Sequence, residues 1–251
     1  MRGGFASAQL SPVLPGASGF DFGSRSGPFE GPATRKASGS AGGYLLSFSA
    51  EAQLIFAAEP DDPADIAEDV LQEALETLGV SKNPVRLFGK VDYKRARYVF
   101  HEDYAIRQAL FVDSKAERDA NSATLQVSQT SMRIRHIRAG VAVDVPGMLP
   151  TTVPHPTGDM LTTTIIVKFV YSEVNGIRAL NRIRAACIPS GMLQARYNPT
   201  AQQTFWMAGR DAPTLGEDFR VRVSFALLQQ MAAWRVQDIR LDPPVAFQWT
   251  E

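Results

Sequence analysis

The sequence predicts an α+β fold of two strand–helix–strand–strand units with mixed or antiparallel sheets, preceded by a long extended N-terminal arm. Three observations carry this. Residues 59–80 hold an amphipathic helical stripe, several later segments are β-branched or alternate apolar with polar residues, and glycine, serine and proline crowd the start of the chain. The boundaries follow: an arm over 1–43, a first half over 44–145, a proline-rich connector over 146–159 and a second half over 160–251.

The 251 residues suffice for a sizeable core. Apolar residues make up 45% and charged residues 21%, with a formal net charge of zero, an ordinary globular balance. Neutrality disfavours non-specific binding to nucleic acid, which depends on accumulated Lys and Arg. Contact with nucleic acid is a secondary expectation. The single cysteine, Cys187, excludes an internal disulfide. No apolar run reaches the length of a membrane span, and no signal-peptide core follows Arg2. Membrane contact is not expected, and a protein made in the cytoplasm is.

In the arm, residues 1–43 hold ten of the nineteen glycines. Regular structure is disfavoured there, because Gly costs backbone entropy and Pro lacks a donor. Phe5, Leu10, Phe20, Phe22 and Phe29 punctuate it, a pattern suited to an arm that anchors on a neighbouring subunit. Ordering such an arm costs roughly 1–2 kcal/mol per residue, so a partner surface must offset it.

Next, YLLSFSAEAQLIFAAE (44–59) reads as a strand, with Leu46, Phe48 and Ala50 alternating. The helix over 59–80 has Asp62 at the N-cap, Pro63 at its first position, Gly79 after its end, and a stripe of Ile66, Val70, Leu71, Ala74, Leu75 and Leu78. Residues 83–93 and 95–112 read as strands, and SKAERDANS (114–122) as a polar loop. Residues 124–145 read as a hairpin turning near Ala139–Gly140. In the second half, 160–173 is a strand and 174–188 a helix with Ile177, Leu180, Ile183, Ala186 and Cys187 on its apolar side, ended by Pro189 and Gly191. Short strands or a loop fill 192–209. DFRVRVSFALLQQ (218–230) reads as a strand, and 234–250 closes the chain, broken at Pro243–Pro244.

The two helical readings differ in charge. Eight acids and no base lie between Glu59 and Glu76. Arg178, Arg182 and Arg184 make the other segment basic. Docking of Glu68, Glu73 and Glu76 on one copy against those arginines on the next would build a head-to-tail ring.

Chemistry is sparse. There is no phosphate-binding P-loop, nucleophile elbow or dinucleotide fingerprint. His101, His136 and His155 lack partners at metal-ligand spacing, and Cys187 reads as a small core residue. No cofactor is expected. Asp61 with Asp92-x-Lys94 resembles the metal-binding acids and lysine of restriction-type nucleases, in which carboxylates hold Mg²⁺ and the lysine assists the attacking water. Asp211, Glu217 and Asp218 form a second acidic group in a loop. Arg133, Arg135, Arg138, Arg220 and Arg222, with Tyr93, Tyr98 and Trp234, could offer a basic face with stacking rings.

The order TTTIIVKFVYSE, NGIRALNRIRAACI, then EDFRVRVSFALLQQMAAWRVQDIRLD resembles tailed-bacteriophage neck and tail-terminator proteins. The resemblance covers about the last ninety residues. It implies a non-enzymatic virion component, a homo-oligomeric ring at the head–tail junction, other virion proteins as partners, and a virion location. The alternative is a nuclease or nucleic-acid-binding enzyme with ferredoxin-like halves.

Overall fold

A computed structural model describes residues 46, 48–77, 96–99, 108–118, 120–154, 158–209, 219–248 and 250. The arm anchors Phe5, Leu10, Phe20, Phe22 and Phe29 lie outside the described residues, as do Asp92, Lys94, His101, His155, Asp211, Glu217 and Asp218.

The molecule is α+β with mixed sheets, as expected. Its first element corrects the sequence reading. Residues 44–59 hold helix α1 (Ser49–Ala58) instead of a strand. The alternation of Leu46, Phe48 and Ala50 misleads because the segment is rich in alanine and carries a single β-branched residue, Ile55. Helix propensity therefore wins. Ala52 and Phe56, four apart, are its buried residues. Helix α2 (Pro63–Thr77) starts as expected: Asp62 Oδ1 accepts from the Ala64 amide at 2.8 Å, and Pro63 opens the helix. Ile66, Val70, Leu71 and Ala74 form the expected buried stripe.

The main sheet runs β1 (Ala96–Val99), β2 (Gln108–Glu117), β7 (Met160–Val174), β8 (Ile177–Ile188) and β11 (Val236–Arg240), with β6 (Thr152–Val153) paired to β7. β2 and β7 are parallel, and the other pairs are antiparallel. Strands from residues 44–145 and 160–251 thus share one sheet. β3 (Ser122–Gln126), β10 (Arg220–Ser224) and β9 (Trp206–Ala208) form a second sheet, and β4 (Ile134–Arg138) with β5 (Val141–Val145) a hairpin. The hairpin turns at Ala139 and Gly140, both at positive φ, where it was expected.

Residues 174–188 are strand β8 instead of the expected helix, so the second half does not repeat the first. Asn175 and Gly176 both take positive φ and form the two-residue turn between β7 and β8. Asn-Gly between apolar runs is a strong hairpin signal. Pairing with β7 on one side and β11 on the other overrides the helix propensity of the Ala, Arg and Leu residues. Likewise, 218–230 is not one strand. β10 stops at Ser224, which caps helix α3 (Phe225–Met231) by accepting from the Leu227 amide at 3.3 Å. Ser224→Ala is expected to cost about 1 kcal/mol of stability, read by denaturant unfolding.

Both helices pack on one face of the main sheet. Ala52, Phe56, Ile66, Ala67, Val70 and Leu71 meet Leu110, Val112, Ile165, Val167, Phe169 and Ile183. Phe56 stacks on Phe169 with ring centroids 5.6 Å apart. The second sheet covers the opposite face, joining Leu125, Val221 and Val223 to Ile166, Ala186 and Ile188. This two-sided covering leaves β2 with one face in the helical core and the other beside the second sheet.

Candidate functional site

β2 pairs with β7 in unbroken register from Gln108 to Glu117. Its side chains alternate, so Leu110, Val112 and Ala116 face the helices. Phe111, Asp113, Lys115 and Glu117 face the other way. Residues 114–117 therefore complete a strand, where the sequence had suggested a polar loop. They are half-buried, because this part of the face carries charge instead of core.

Asp113 and Lys115 stand side by side on that face. Lys115 Nζ lies 2.8 Å from Asp113 Oδ2, and both side chains keep partial solvent access. The Asp113 oxygen is buried and, among the described residues, receives no hydrogen bond. The lysine is its one ion partner among the described residues, and a carboxylate oxygen has more than one lone pair to offer a further ligand. A divalent cation, the group that an acid–x–lysine triplet implies, fits such a hard oxygen donor. Among the described residues no three acidic, histidine or cysteine side chains cluster, so further acids must come from elsewhere.

Glu117, next along the face, is fully engaged. Its Oε2 accepts from Lys168 Nζ at 2.7 Å and from Arg222 Nη2 at 2.8 Å, and its Oε1 from the Thr124 amide at 3.2 Å. Lys168 is wholly buried and also donates to the Ser122 carbonyl. Burial pushes the Glu117 carboxyl up, but the charge and hydrogen bond of Lys168, then Arg222 and the Thr124 amide, hold it below its ordinary value. A carboxyl lowered in the folded state contributes stability above its unfolded pKa, and that stability is lost as pH falls through the lowered value. The melting temperature is therefore expected to fall below about pH 4.5. Glu117→Gln should show a flatter acid limb in thermal melts across pH 3–7, a range taken to bracket the usual carboxyl value of roughly 4.3.

The other expected site residues are placed as follows. Asp61 is exposed, and its carbonyl accepts from Arg178 Nη1 at 2.5 Å. Arg178, Arg182 and Arg184 lie on a strand, not on a basic helix. Arg178 also donates to the Glu59 carbonyl, and Arg182 and Arg184 reach Asp238 at 3.5 and 3.1 Å. Their commitment within the chain removes the charge set on which helix-to-helix docking relied. Glu68 and Glu73 lie on α2, and the Glu76 side chain is outside the described residues. Arg133 and Arg135 share Asp144, at 2.9 and 3.3 Å, on the hairpin. Arg220 and Arg222 belong to the second sheet, Arg135 and Arg138 to the hairpin, and Arg133 directly precedes it. Trp234 is buried under the Arg235 guanidinium, so it offers no open stacking surface. His136 and Cys187 are buried, the latter in the core as expected.

The sequence reading missed Asp113 and Lys115. The signal was present: ALFVDSKAE puts an acid–x–lysine triplet at the end of an apolar β run. Asp92-x-Lys94 carries the same spacing, and ending the strand at Val112 hid the second triplet.

A mixed sheet with helices on one face, and an acid–x–lysine strand turned to the other, is the architecture of a restriction endonuclease. The solved structure of BglI bound to its DNA recognition sequence matches with a TM-score of 0.66, covering 84% of this chain and 90% of that one. At 15% identity this likeness concerns the fold. The structure of tetrameric SfiI bound to cognate DNA matches with a TM-score of 0.72 and 29% identity, over 87% of this chain and 86% of that one. The curated Type II restriction enzyme SfiI of Streptomyces fimbriatus is 33% identical over 210 residues, 78% of each chain. The family model for Type II restriction enzyme SfiI matches residues 37–239. The chain belongs to the SfiI family of Type II restriction enzymes. This overturns the phage neck and tail-terminator resemblance, and with it the non-enzymatic virion role, the ring and the virion partners. Strand order and length alone had carried that resemblance, and one of its elements, the helix over 174–188, is a strand. Among the described residues no helix is long and apolar enough to cross a membrane.

Proposed function

We propose that the chain is a sequence-specific endonuclease that cuts double-stranded DNA by metal-assisted hydrolysis, with Asp113 and Lys115 at its centre. The observation that carries this is the acid–x–lysine pair on one strand face, with the buried Asp113 Oδ2 2.8 Å from Lys115 Nζ. Membership of the SfiI family supports it.

Asp113 supplies one carboxylate for a divalent cation. Asp92 is proposed as the second: it is the one acid in residues 78–95, four residues before β1, the antiparallel neighbour of β2. The cation, when bound, polarises a scissile phosphate and acidifies a water. Lys115 places a positive charge beside that carboxylate, where negative charge accumulates on the phosphate during attack. The face lacks a histidine or cysteine nucleophile among the described residues, which suits direct attack by water. Homo-oligomerisation is part of the proposal, since the related SfiI structure is a tetramer on DNA.

The test is incubation of the purified chain with magnesium and high-complexity DNA, with sequencing of the fragment ends. Discrete fragments sharing one flanking sequence support the reading. Intact DNA over a range of magnesium concentrations and temperatures rejects it. Light scattering reads the oligomer.

A further inference from the structure

Two lysines share the face that carries the nuclease pair. Lys168 of β7 is in register with Lys115 of β2, so both ammonium groups rise from neighbouring backbones. Two acids, Asp113 and Glu117, flank Lys115 on its own strand. Lys115 contacts Asp113, and Lys168 contacts Glu117, which Arg222 also meets. Lys168 has no exposure to water, so its charge must be met inside the protein. Asp113, two residues before Lys115 in the alternating pattern, is the other carboxylate on this face of β2, and its partner among the described residues is Lys115.

We propose that Glu117 is a positioning residue that holds the buried Lys168 away from Asp113, leaving the Asp113 carboxylate to Lys115 and the cation; this rests on the nuclease reading above. Three donors from three strands fix Glu117: Lys168 of β7, Arg222 of β10 and the Thr124 amide of β3. Ser122 reinforces the arrangement, its carbonyl accepting from Lys168 and its hydroxyl from Arg222 Nε at 2.7 Å. Take away the Glu117 charge, and the Lys168 ammonium is left to the other carboxylate on this face of β2, Asp113. Asp113 would then face a second, buried cation besides Lys115 and would hold a divalent cation less well.

Rescue separates this role from simple bracing of the strand. In Glu117→Gln, single-turnover cleavage at saturating DNA is expected to fall about 30-fold or more, while DNA binding measured in EDTA weakens no more than about threefold. Adding Lys168→Met removes the competing cation, and the double variant is expected to cut within about threefold of the unmodified chain. Bracing predicts the opposite, because the double variant lacks the same Glu117 contacts. A double variant as slow as Glu117→Gln, or a Glu117→Gln variant that cuts normally, overturns the proposal. The rise in melting temperature on adding magnesium alone reads the same order without DNA: present in the unmodified chain, lost in Glu117→Gln, regained in the double variant. Equal rises in all three overturn the proposal. An unmodified chain that gains stability with magnesium but cuts no DNA rejects the nuclease reading, and Glu117 is then judged by the magnesium rises.

Discussion

Lys115→Ala is expected to slow single-turnover DNA cleavage by on the order of 10²–10³-fold, the usual effect of removing one charge-stabilising donor from a reacting centre. Asp113→Ala should cost more, several kcal/mol of barrier or roughly three to four powers of ten, because it removes a cation ligand. Folding should survive both changes, since each side chain keeps solvent access and neither belongs to an apolar cluster. DNA affinity measured in EDTA is expected to remain near that of the unmodified chain after Lys115→Ala. The informative control is Lys94→Ala. The sequence contains two triplets of the same form, and β2 carries the second. Lys94→Ala is expected to leave cleavage largely intact. Should it abolish cleavage while Lys115→Ala does not, the catalytic lysine belongs to the first triplet and the assignment to β2 is wrong.

Gly191→Ala is expected to be strongly destabilising. An added Cβ would lie 2.2 Å from the Ser131 carbonyl oxygen, 2.9 Å from its carbon and 2.9 Å from Thr151 Cγ2. The first two belong to backbone and cannot rotate aside. Gly147 closes on the same turn from another direction, with its Cβ position 2.5 Å from the Thr130 oxygen and 2.6 Å from the Met132 oxygen. The Ser131 hydroxyl also accepts from the Gly191 amide at 2.9 Å, so the two segments are held at that separation. A cost of about 3 kcal/mol is the upper part of the range for overpacking. In a chain of this size it lowers the melting temperature by roughly 6–12 °C. Gly140→Ala is the control, because its φ of +80° imposes strain but no atom lies within 4 Å. It should cost about 1 kcal/mol. Thermal melts of the two variants decide the matter, and equal losses would show that packing against Ser131 contributes nothing.

The turn matters beyond stability. Gln129, just before it, accepts from Thr164 Oγ1 at 2.6 Å. Thr164 is two residues from Ile166, the register partner of Asp113. Displacement of this turn therefore reaches the β7 strand against which the candidate site is built, and Gly191→Ala is expected to reduce cleavage at temperatures below its melting transition.

Much of the molecule was decided locally and could be read directly. The N-cap of α2, its apolar stripe and the β4–β5 turn rest on interactions within a few residues, and β7 shows in its run of β-branched residues. Cys187 as a core residue follows from size and polarity alone. The acid–x–lysine form was legible too, in two copies, but spacing could not choose between them. That choice depends on β2 continuing past Val112 to Glu117, and β7 decides it through parallel pairing across about fifty residues of intervening chain. The same cause turned residues 177–188 from an expected helix into a strand, since β7 and β11 supply pairing that no local pattern reveals. Lys168, Glu117 and Arg222 are ordinary surface residues in the sequence. Only the meeting of two sheets buries the lysine and gathers its partners, because charge that is scattered along a chain becomes a network when the strands carrying it are brought face to face.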